Sequence, residues 1–464
     1  MRSLWLEEAL ASGSETAPRL AGPVKADVCI VGGGYTGLWT AVHLKEEQPS
    51  LDIVLLEADI CGGGASGRNG GFVMSWWPKF VSMTRLCGAE EAVRLCRASA
   101  DAITEIGAFC TRHGIDAHFR PDGWLWTASS KAQVGAWSET LDLLDRHGQH
   151  PFVEMTHEDV VRRTGSPELI CGVFEATNAT VQPALLARGL RRVALERGVR
   201  IFENSAMTEV ERSRPLRVHT RGGTVSADRL VLALNAWSGG FHDIPELHGS
   251  VVVIASDIVV TDPIPERLAE LGYTSGLSIS DSRMMVNYWR NTRDGRIAFG
   301  KGGGALAFAA RASSFDRASL RAREVTRSMR ALYPSLADVA ITRSWAGPID
   351  RSSSGLPFFG TIERRPDIAY GAGYSGEGVG ASHLGGRILA SLALGLQDEW
   401  TTTPLARGPV GRFPPEPVRY LAGLMVRAAV ARKERAEDSG KRPGRLTVRV
   451  AGLAPAGLVP LKPA

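Results

Sequence analysis

The chain has 464 residues, 44% of them hydrophobic and 22% charged, a balance that excludes a disordered or fibrous polypeptide and leaves ample core for two domains or one large elaborated domain. Its formal charge of +5 is uneven: residues 401–464 hold 12 basic against 4 acidic side chains, so the tail is +8, the preceding 400 residues sum to −3, and a basic nucleic-acid-binding body is excluded. No apolar run approaches the ~20 residues that span a bilayer, no signal-peptide apolar region opens the chain, and the six cysteines show no C-x-x-C spacing, so reduced thiols in a cytoplasmic protein are expected.

Residues 1–24 read as an N-terminal arm containing Pro18 and Pro23. Residues 27–31 then read as a buried parallel strand, followed by Gly32-Gly33-Gly34-Tyr35-Thr36-Gly37, a helical run over 38–46 and a second strand over 52–56 that ends in Glu57. Gly32, Gly34 and Gly37 fit G-x-G-x-x-G. Gly32 permits the tight turn, Gly34 lets a pyrophosphate approach the backbone, and Gly37 lets helix and strand pack closely. The helix N-terminus favours phosphate charge, and Glu57 accepts ribose hydroxyls. Strand, turn, helix, strand and acid in this order predict a dinucleotide site.

A second glycine-rich loop follows over 62–71. An NAD dehydrogenase does not need one there. A flavin enzyme does, because the chain must run beside the ribityl chain and the flat isoalloxazine without side-chain clash. Further on, 90–113 and 131–147 read as helices, with a strand over 123–127 between them. Residues 183–198 read as an amphipathic helix and 199–202 as a strand. Residues 218–225 suggest a hairpin around Gly222-Gly223, and 230–234 is an apolar strand of the kind parallel sheets require, leading into Asn235-Ala236-Trp237-Ser238. Residues 250–300 read as antiparallel strands, notably 284–289 and 296–299, and 318–332 as a helix. A short strand over 367–370 precedes Gly371-Ala372-Gly373-Tyr374-Ser375-Gly376-Glu377-Gly378, which opens a helix through Leu394. The G-x-x-x-x-G-K match over 295–301 is no phosphate loop, since it begins on a strand and Gly302 stands where Ser or Thr is needed.

The glycine turn with Glu57, the loop over 65–71, the strand end over 233–238 and the helix entry over 371–378 occur in an order that resembles the amine-oxidising flavoenzymes related to D-amino-acid oxidase, glycine oxidase and sarcosine oxidase. The resemblance covers residues 25–400. It is strongest to the γ-glutamylputrescine oxidase-type branch and closer still to aminophosphonate oxidoreductases, through Ser344-Trp345-Ala346-Gly347-Pro348-Ile349-Asp350-Arg351-Ser352 and Arg412-Phe413-Pro414-Pro415-Glu416-Pro417. It implies an α/β fold: a Rossmann-type FAD-binding domain assembled from 25–85, 155–238 and 340–398, with an inserted α+β substrate domain on an antiparallel sheet from 86–154 and 239–339, and a basic tail over 399–464. It implies FAD contacts from Gly32, Gly34, Tyr35, Thr36, Gly37, Glu57, Ala65, Ser66, Arg68, Asn69, Gly70, Gly71, Asn235, Gly373, Tyr374, Ser375, Gly376, Gly378 and Val379.

Two departures shape the expected chemistry. In glycine-oxidase relatives, an arginine two positions after the Trp345-Ala346-Gly347 segment clamps the substrate carboxylate; here that position is Ile349. A buried unpaired anion costs several kcal/mol, so a free α-amino acid is disfavoured and an amine with its anionic group elsewhere fits better. Relatives that bond the flavin covalently use a cysteine near the Trp345 segment or a histidine in the first glycine-rich region. Residues 344–354 hold no cysteine and 62–71 no histidine, so non-covalent FAD is expected, with Cys61 left open.

The implied reaction removes a hydride equivalent from the carbon bearing a neutral amine, primary or secondary, possible substrates being an aminophosphonate or acylated diamine; the imine hydrolyses in water. Dioxygen or another acceptor, such as a quinone or a partner, would reoxidise the flavin. An NAD(P)H-dependent flavin monooxygenase and an electron-relaying flavin subunit stay open. Tyr288 and Arg290, two apart on a strand, share a face and are assigned to the substrate, Arg290 to its anion. Trp345 reads as active-site wall or core, Arg283 and Arg351 as alternative anion ligands or surface charge, and Lys301 as a lysine near the flavin or in a loop. Tyr374 and Glu377 touch the cofactor or cap the helix. The histidines show no ligand spacing, so no metal site is expected. In the tail, 416–435 carries Val418, Leu421, Met425, Ala428 and Ala429 with arginines between them: a helix packed on the body, with a membrane-surface helix as the less favoured reading. Beyond Lys441 poor order is expected.

Overall fold

The computed structural model describes residues 2–13, 16–241 and 243–455. The chain opens with helix α1 (Leu4–Ala11), where the arm was expected. Ser3 caps it by accepting the Leu6 N–H at 3.1 Å. Strand β1 (Gly22–Val31) is buried over its last four residues and turns through the three glycines into helix α2 (Tyr35–Glu47), after which comes β2 (Ile53–Leu56). β2 and β3 (Gly223–Leu232) flank β1, both parallel to it. The expected hairpin around Gly222-Gly223 forms, and its second strand and the apolar strand are one continuous β3. Its first half pairs antiparallel with Leu216–Thr220, and its apolar end runs parallel to Arg365–Ala372, Leu230 opposite Ile368. The sheet runs Phe358–Ile362, Arg365–Ala372, β3, β1, β2, Arg200–Phe202.

The second sheet contains β4 (Val251–Thr261), β5 (Asn287–Asn291), β6 (Ile297–Lys301) and β7 (Ile341–Ser352), in the order β7, β4, β6, β5, Ser278–Asp281, Trp124–Ala128, Cys171–Glu175, Phe152–Met155. It is antiparallel except where Ser278–Asp281 lies parallel to Trp124–Ala128. Sheet membership therefore shifts the boundaries expected at 155 and 340, since Cys171–Glu175 and β7 both belong to the second sheet. β7 escaped the pattern reading because Gly347 and Pro348 interrupt it; a proline is tolerated there because β7 is an edge strand. The helix expected over 131–147 is confined to Ser138–Arg146, after Gly135 at φ +75°.

Helix α3 (Gly378–Leu394) packs on α2 at very short range. A Cβ on Gly386 would stand 2.5 Å from the Trp39 Cβ and 2.8 Å from the Thr40 N. Both helices thus aim their N-termini at one cavity. Helices α4 (Val418–Asp438) and α5 (Arg445–Ala451) form the tail. Ala429, Val430 and Ala451 pack with Met285, so α4 rests on the body, but Val418, Leu421, Met425 and Ala428, the other apolar residues expected to make that contact, are exposed; helical order extends past Lys441. Residues 456–464 lie outside the described residues. No helix among the described residues is long and apolar enough to cross a membrane.

Candidate functional site

A cavity of about 850 Å³ lies between the two sheets, at the carboxyl ends of β1, β2 and β3, where open α/β sheets bind ligands. Its first end is the glycine turn. Gly32 has φ +114°, and a Cβ there would stand 2.4 Å from the Ala233 carbonyl oxygen. Gly37 does not line the cavity. A Cβ on it would meet the Gly32 oxygen at 1.9 Å, so it serves the packing of α2 on β1. Gly34 begins α2 with no side-chain cap, and the Tyr35 N–H donates to Ser66 Oγ at 2.9 Å. Tyr35 also donates its hydroxyl to the Pro183 carbonyl at 2.6 Å, and Thr36 Oγ1 donates to the Tyr374 hydroxyl at 2.9 Å. Glu57 is held by the Gly33 N–H at 2.7 Å and the Asp59 N–H at 2.8 Å; burial raises its carboxyl to about 7. Asn235, at φ +48°, lines the cavity with its Oδ1 buried and unpartnered.

The second glycine-rich loop forms one wall through Ala65, Ser66, Arg68, Asn69 and Gly70. Asn69 ties it internally, donating to the carbonyls of Ala65 and Ser66 and accepting from Gly71. Gly71, at φ +78°, is turned away from the cavity, where a Cβ would meet the Val181 oxygen at 2.1 Å. Four successive carbonyls of this loop each accept from a side chain behind it: Gly67 from Ser3 Oγ, Arg68 from Trp345 Nε1 at 2.8 Å, Asn69 from Trp5 Nε1 at 2.9 Å, and Gly70 from Arg290 Nε at 2.7 Å.

This corrects two assignments. Arg290 does not line the cavity; its remaining donors go to the carbonyls of Val181 at 2.7 Å and Asn291 at 3.2 Å, and its guanidinium lies 5.1 Å from the Trp5 ring centroid. It shares a face with Tyr288 as the spacing predicts, but the glycine-rich loop covers its end of that face. Trp345, 1% exposed and edge-on to Trp5, is core that orients the loop and does not face the cavity.

At the far end, Tyr288 lines the cavity and shares a 2.8 Å hydrogen bond with Ser256. Ile349 faces in beside Gly376. Asp350 accepts the N–H groups of Gly373 and Tyr374 and so fixes the turn before α3; burial raises it to about 6. Tyr374, Ser375, Gly376, Gly378 and Val379 line the cavity, while Gly373, at φ +84°, packs on Phe358. Glu377 lines it too, 3.3 Å from the buried Lys79 ammonium. Arg283 and Arg351 both reach the cavity; Lys301 does not, its Nζ donating to Asn287 Oδ1 at 2.9 Å.

Among the described residues, no cysteine, histidine or lysine lines the cavity, and no cluster of three His, Cys, Asp or Glu could hold a metal. Cys61 is buried behind Gly33, and burial holds its thiol well above the ordinary range. Sequence reasoning missed the wall made by Trp237, Met284, Met285 and Val286, and the closure of the cavity by α4. The apolar residues singled out in 416–435 gave no signal for this closure: Val418, Leu421 and Met425 are exposed, and α4 meets the cavity through Ala422, Val426 and Val430.

The family model described as FAD dependent oxidoreductase (DAO) matches residues 27–392. Probable oxidoreductase OrdL of Rhizobium meliloti is 32% identical over 387 residues, 82% of this chain and 86% of that protein. Gamma-glutamylputrescine oxidoreductase of Escherichia coli is 30% identical over 388 residues, 83% of this chain and 88% of that protein. The crystal structure of glycine oxidase from Geobacillus kaustophilus superposes with a TM-score of 0.69 at 19% identity, covering 84% of this chain and all of that one. The cavity fits the cofactor of that family model: a helix N-terminus whose N-cap, Gly34, has no side chain, beside a glycine turn whose space a Cβ would fill, a buried acid at the end of β2, an unpartnered Asn235 Oδ1, and a second glycine-rich wall.

Proposed function

Because the chain belongs to the DAO family of FAD-dependent oxidoreductases, enzymes of CH–NH donors, we propose that it oxidises a primary or secondary amine whose anionic group is remote from the reacting carbon, using FAD held without a covalent bond. A diamine acylated by a group that keeps a free carboxylate, or an ω-aminoalkylphosphonate, is such an amine. One observation carries the reading: a single cavity joins the dinucleotide end at Gly34 and Glu57 to an apolar wall containing Ile349, Met284 and Val286.

Bound FAD supplies the electron sink that accepts a hydride equivalent from the carbon bearing nitrogen. The residues of the chain bind and orient. The N-termini of α2 and α3 offer backbone N–H groups to anionic parts of the cofactor. Ser256 fixes the Tyr288 hydroxyl against the substrate space. The apolar wall favours the neutral amine over the ammonium, because desolvation disfavours the charged form. Because the wall favours the neutral amine, reduction should accelerate with rising pH until the free amine dominates. Ile349 leaves a carboxylate next to the reacting carbon without a partner, which supports amines over α-amino acids.

The test is anaerobic titration of the purified yellow protein with a panel of amines while following flavin absorbance. Acylated diamines, ω-amino carboxylates or aminophosphonates should bleach the flavin faster than glycine, sarcosine or D-alanine. Faster bleaching by those three amino acids overturns the substrate class. Bleaching by NADPH alone would mean a monooxygenase, and bleaching by none of the amines an electron-relaying subunit.

A further inference from the structure

Among the described residues five arginines line the cavity, and four are already committed. Arg68 pairs with Asp316, Arg283 with Asp281 and Asp438, and Arg419 with Glu416. Arg351 donates to the Ser375 carbonyl at 3.2 Å and sits in the field of Glu377. Arg427, on α4, differs. Its Nε donates to the carbonyls of Gly303 at 2.8 Å and Gly304 at 2.7 Å, which fixes the plane of the guanidinium. Its two terminal nitrogens have no hydrogen-bond or ion-pair partner among the described residues. The charged groups whose fields act on it, Arg321, Glu324 and Asp257, are already paired, Arg321 bonding Asp257 at 3.1 Å and Glu324 at 2.8 Å.

The surroundings hold this arginine in place. Gly302, Gly303 and Gly304 continue β6, which pairs with β5, and Tyr288 lies opposite Gly300 in that register. Arg427, held to the carbonyls that follow β6, and Tyr288 on β5 both line the cavity. Helix α4 is anchored there by Glu434, which accepts the Met285 N–H at 2.8 Å, by the Asp438 pair with Arg283, and by Ala429 and Val430 against Met285. This helix lies beyond residue 392, outside the segment the family model matches. A fixed, half-buried guanidinium with an open fork is suited to bidentate capture of a carboxylate or phosphonate.

We infer that Arg427 is the anion-recognising residue of the substrate site, gripping a carboxylate or phosphonate at the end of the substrate remote from the reacting amine. The inference rests on the amine-oxidoreductase reading and names the group that Ile349 does not provide. Specificity for the remote anion is thereby carried by the C-terminal helix, in place of β7, the strand that carries Ile349.

The experiment compares three amines of equal length on the holoenzyme, an aminoalkylphosphonate, an ω-amino carboxylate and an uncharged alkylamine, with wild type, Arg427→Gln and Arg427→Lys. Gln keeps a donor for Gly303 or Gly304 but no charge. Arg427→Gln should lose roughly 10- to 150-fold in kcat/KM on the charged amines, the weight of a charge-assisted pair. On the alkylamine it should change by no more than about threefold. Arg427→Lys, which keeps the charge, should fall between. Methylphosphonate, followed by its perturbation of the flavin spectrum, should bind wild type and fail to bind Arg427→Gln. Equal losses on charged and neutral amines, or unchanged methylphosphonate binding, overturn the inference. If no amine reduces the wild-type flavin, the functional reading itself fails, while the methylphosphonate comparison still decides whether Arg427 is an anion site.

Discussion

Glu57, Glu175 and Asp350 are carboxyl groups that burial pushes up, to about 7, 7 and 6. Glu57 and Asp350 hold backbone N–H groups around the cavity, so their protonation is tied to the cofactor site. Glu175 is separate. Its Oε1 accepts from Ser75 Oγ at 2.5 Å, and its Oε2 is buried without a partner. The folded state holds this proton more tightly than the unfolded chain, whose glutamates titrate near ~4.3. Its contribution to stability is therefore full below about pH 4.3 and is lost as pH rises through about 7. Glu175→Gln keeps an acceptor for Ser75 and removes the titration. The variant should show a flatter Tm against pH between pH 4.5 and 8 and a higher Tm than wild type at pH 8, with each pKa unit worth about 1.4 kcal/mol. Thermal melts across that range check it; parallel curves would mean Glu175 stays ionised. At this scale the sequence was legible where a motif fixes a position, as at Glu57. It was not legible at Arg290, because strand alternation says which face a side chain takes and nothing about what covers that face.

Helix α1 shows what a single element does to the site. Ser3 followed by Glu7 is a helix-start pattern that the sequence did contain, yet the segment read as an arm because its partner lies 64 residues away in the chain. Trp5 donates to the Asn69 carbonyl, meets Trp345 edge-on at 5.6 Å, and lies under the Arg290 guanidinium. It is thus the hub of the side chains that orient the glycine-rich loop. Trp5→Ala should cost about 3–5 kcal/mol of stability through the cavity it leaves. It should also weaken FAD binding, since the loop loses a carbonyl partner and the packing behind two others. Trp5→Phe keeps most of the ring but strands the Asn69 carbonyl, a loss of about 1–3 kcal/mol. Calorimetry and FAD titration of the two apoproteins separate these effects. Unchanged FAD affinity in Trp5→Ala would show that α1 stabilises the body without shaping the loop. Long periodic elements such as α2, α3 and the helix Pro183–Glu196 were legible from their pattern, whereas β7 was hidden by Gly347 and Pro348.

For the whole molecule, the consequence of this architecture is that one ligand couples two sheets. The parallel order of β1, β2 and β3 was legible, because a glycine turn between apolar strands imposes it. The return of 341–352 to the second sheet and the closure of the cavity by α4 were not, since both depend on contacts between segments remote in the chain. FAD held in this cavity would meet groups brought together only in the folded state, since the lining runs from Gly34 and Glu57 on one side to the second-sheet wall on the other. A ligand that binds only the folded state raises stability by about 2.7 kcal/mol at 100 times its Kd. That coupling is reversible only if no bond joins flavin to protein, and the described lining contains no cysteine or histidine to form one, with Cys61 buried behind Gly33. Acid precipitation should therefore release all yellow colour into the supernatant. The apoprotein, prepared under mild conditions, should melt at a lower temperature than the holoprotein and recover as FAD is added, its Tm climbing with the logarithm of free FAD. Colour retained in the acid pellet, with a Tm indifferent to added FAD, would instead place a covalent link at a residue outside this lining.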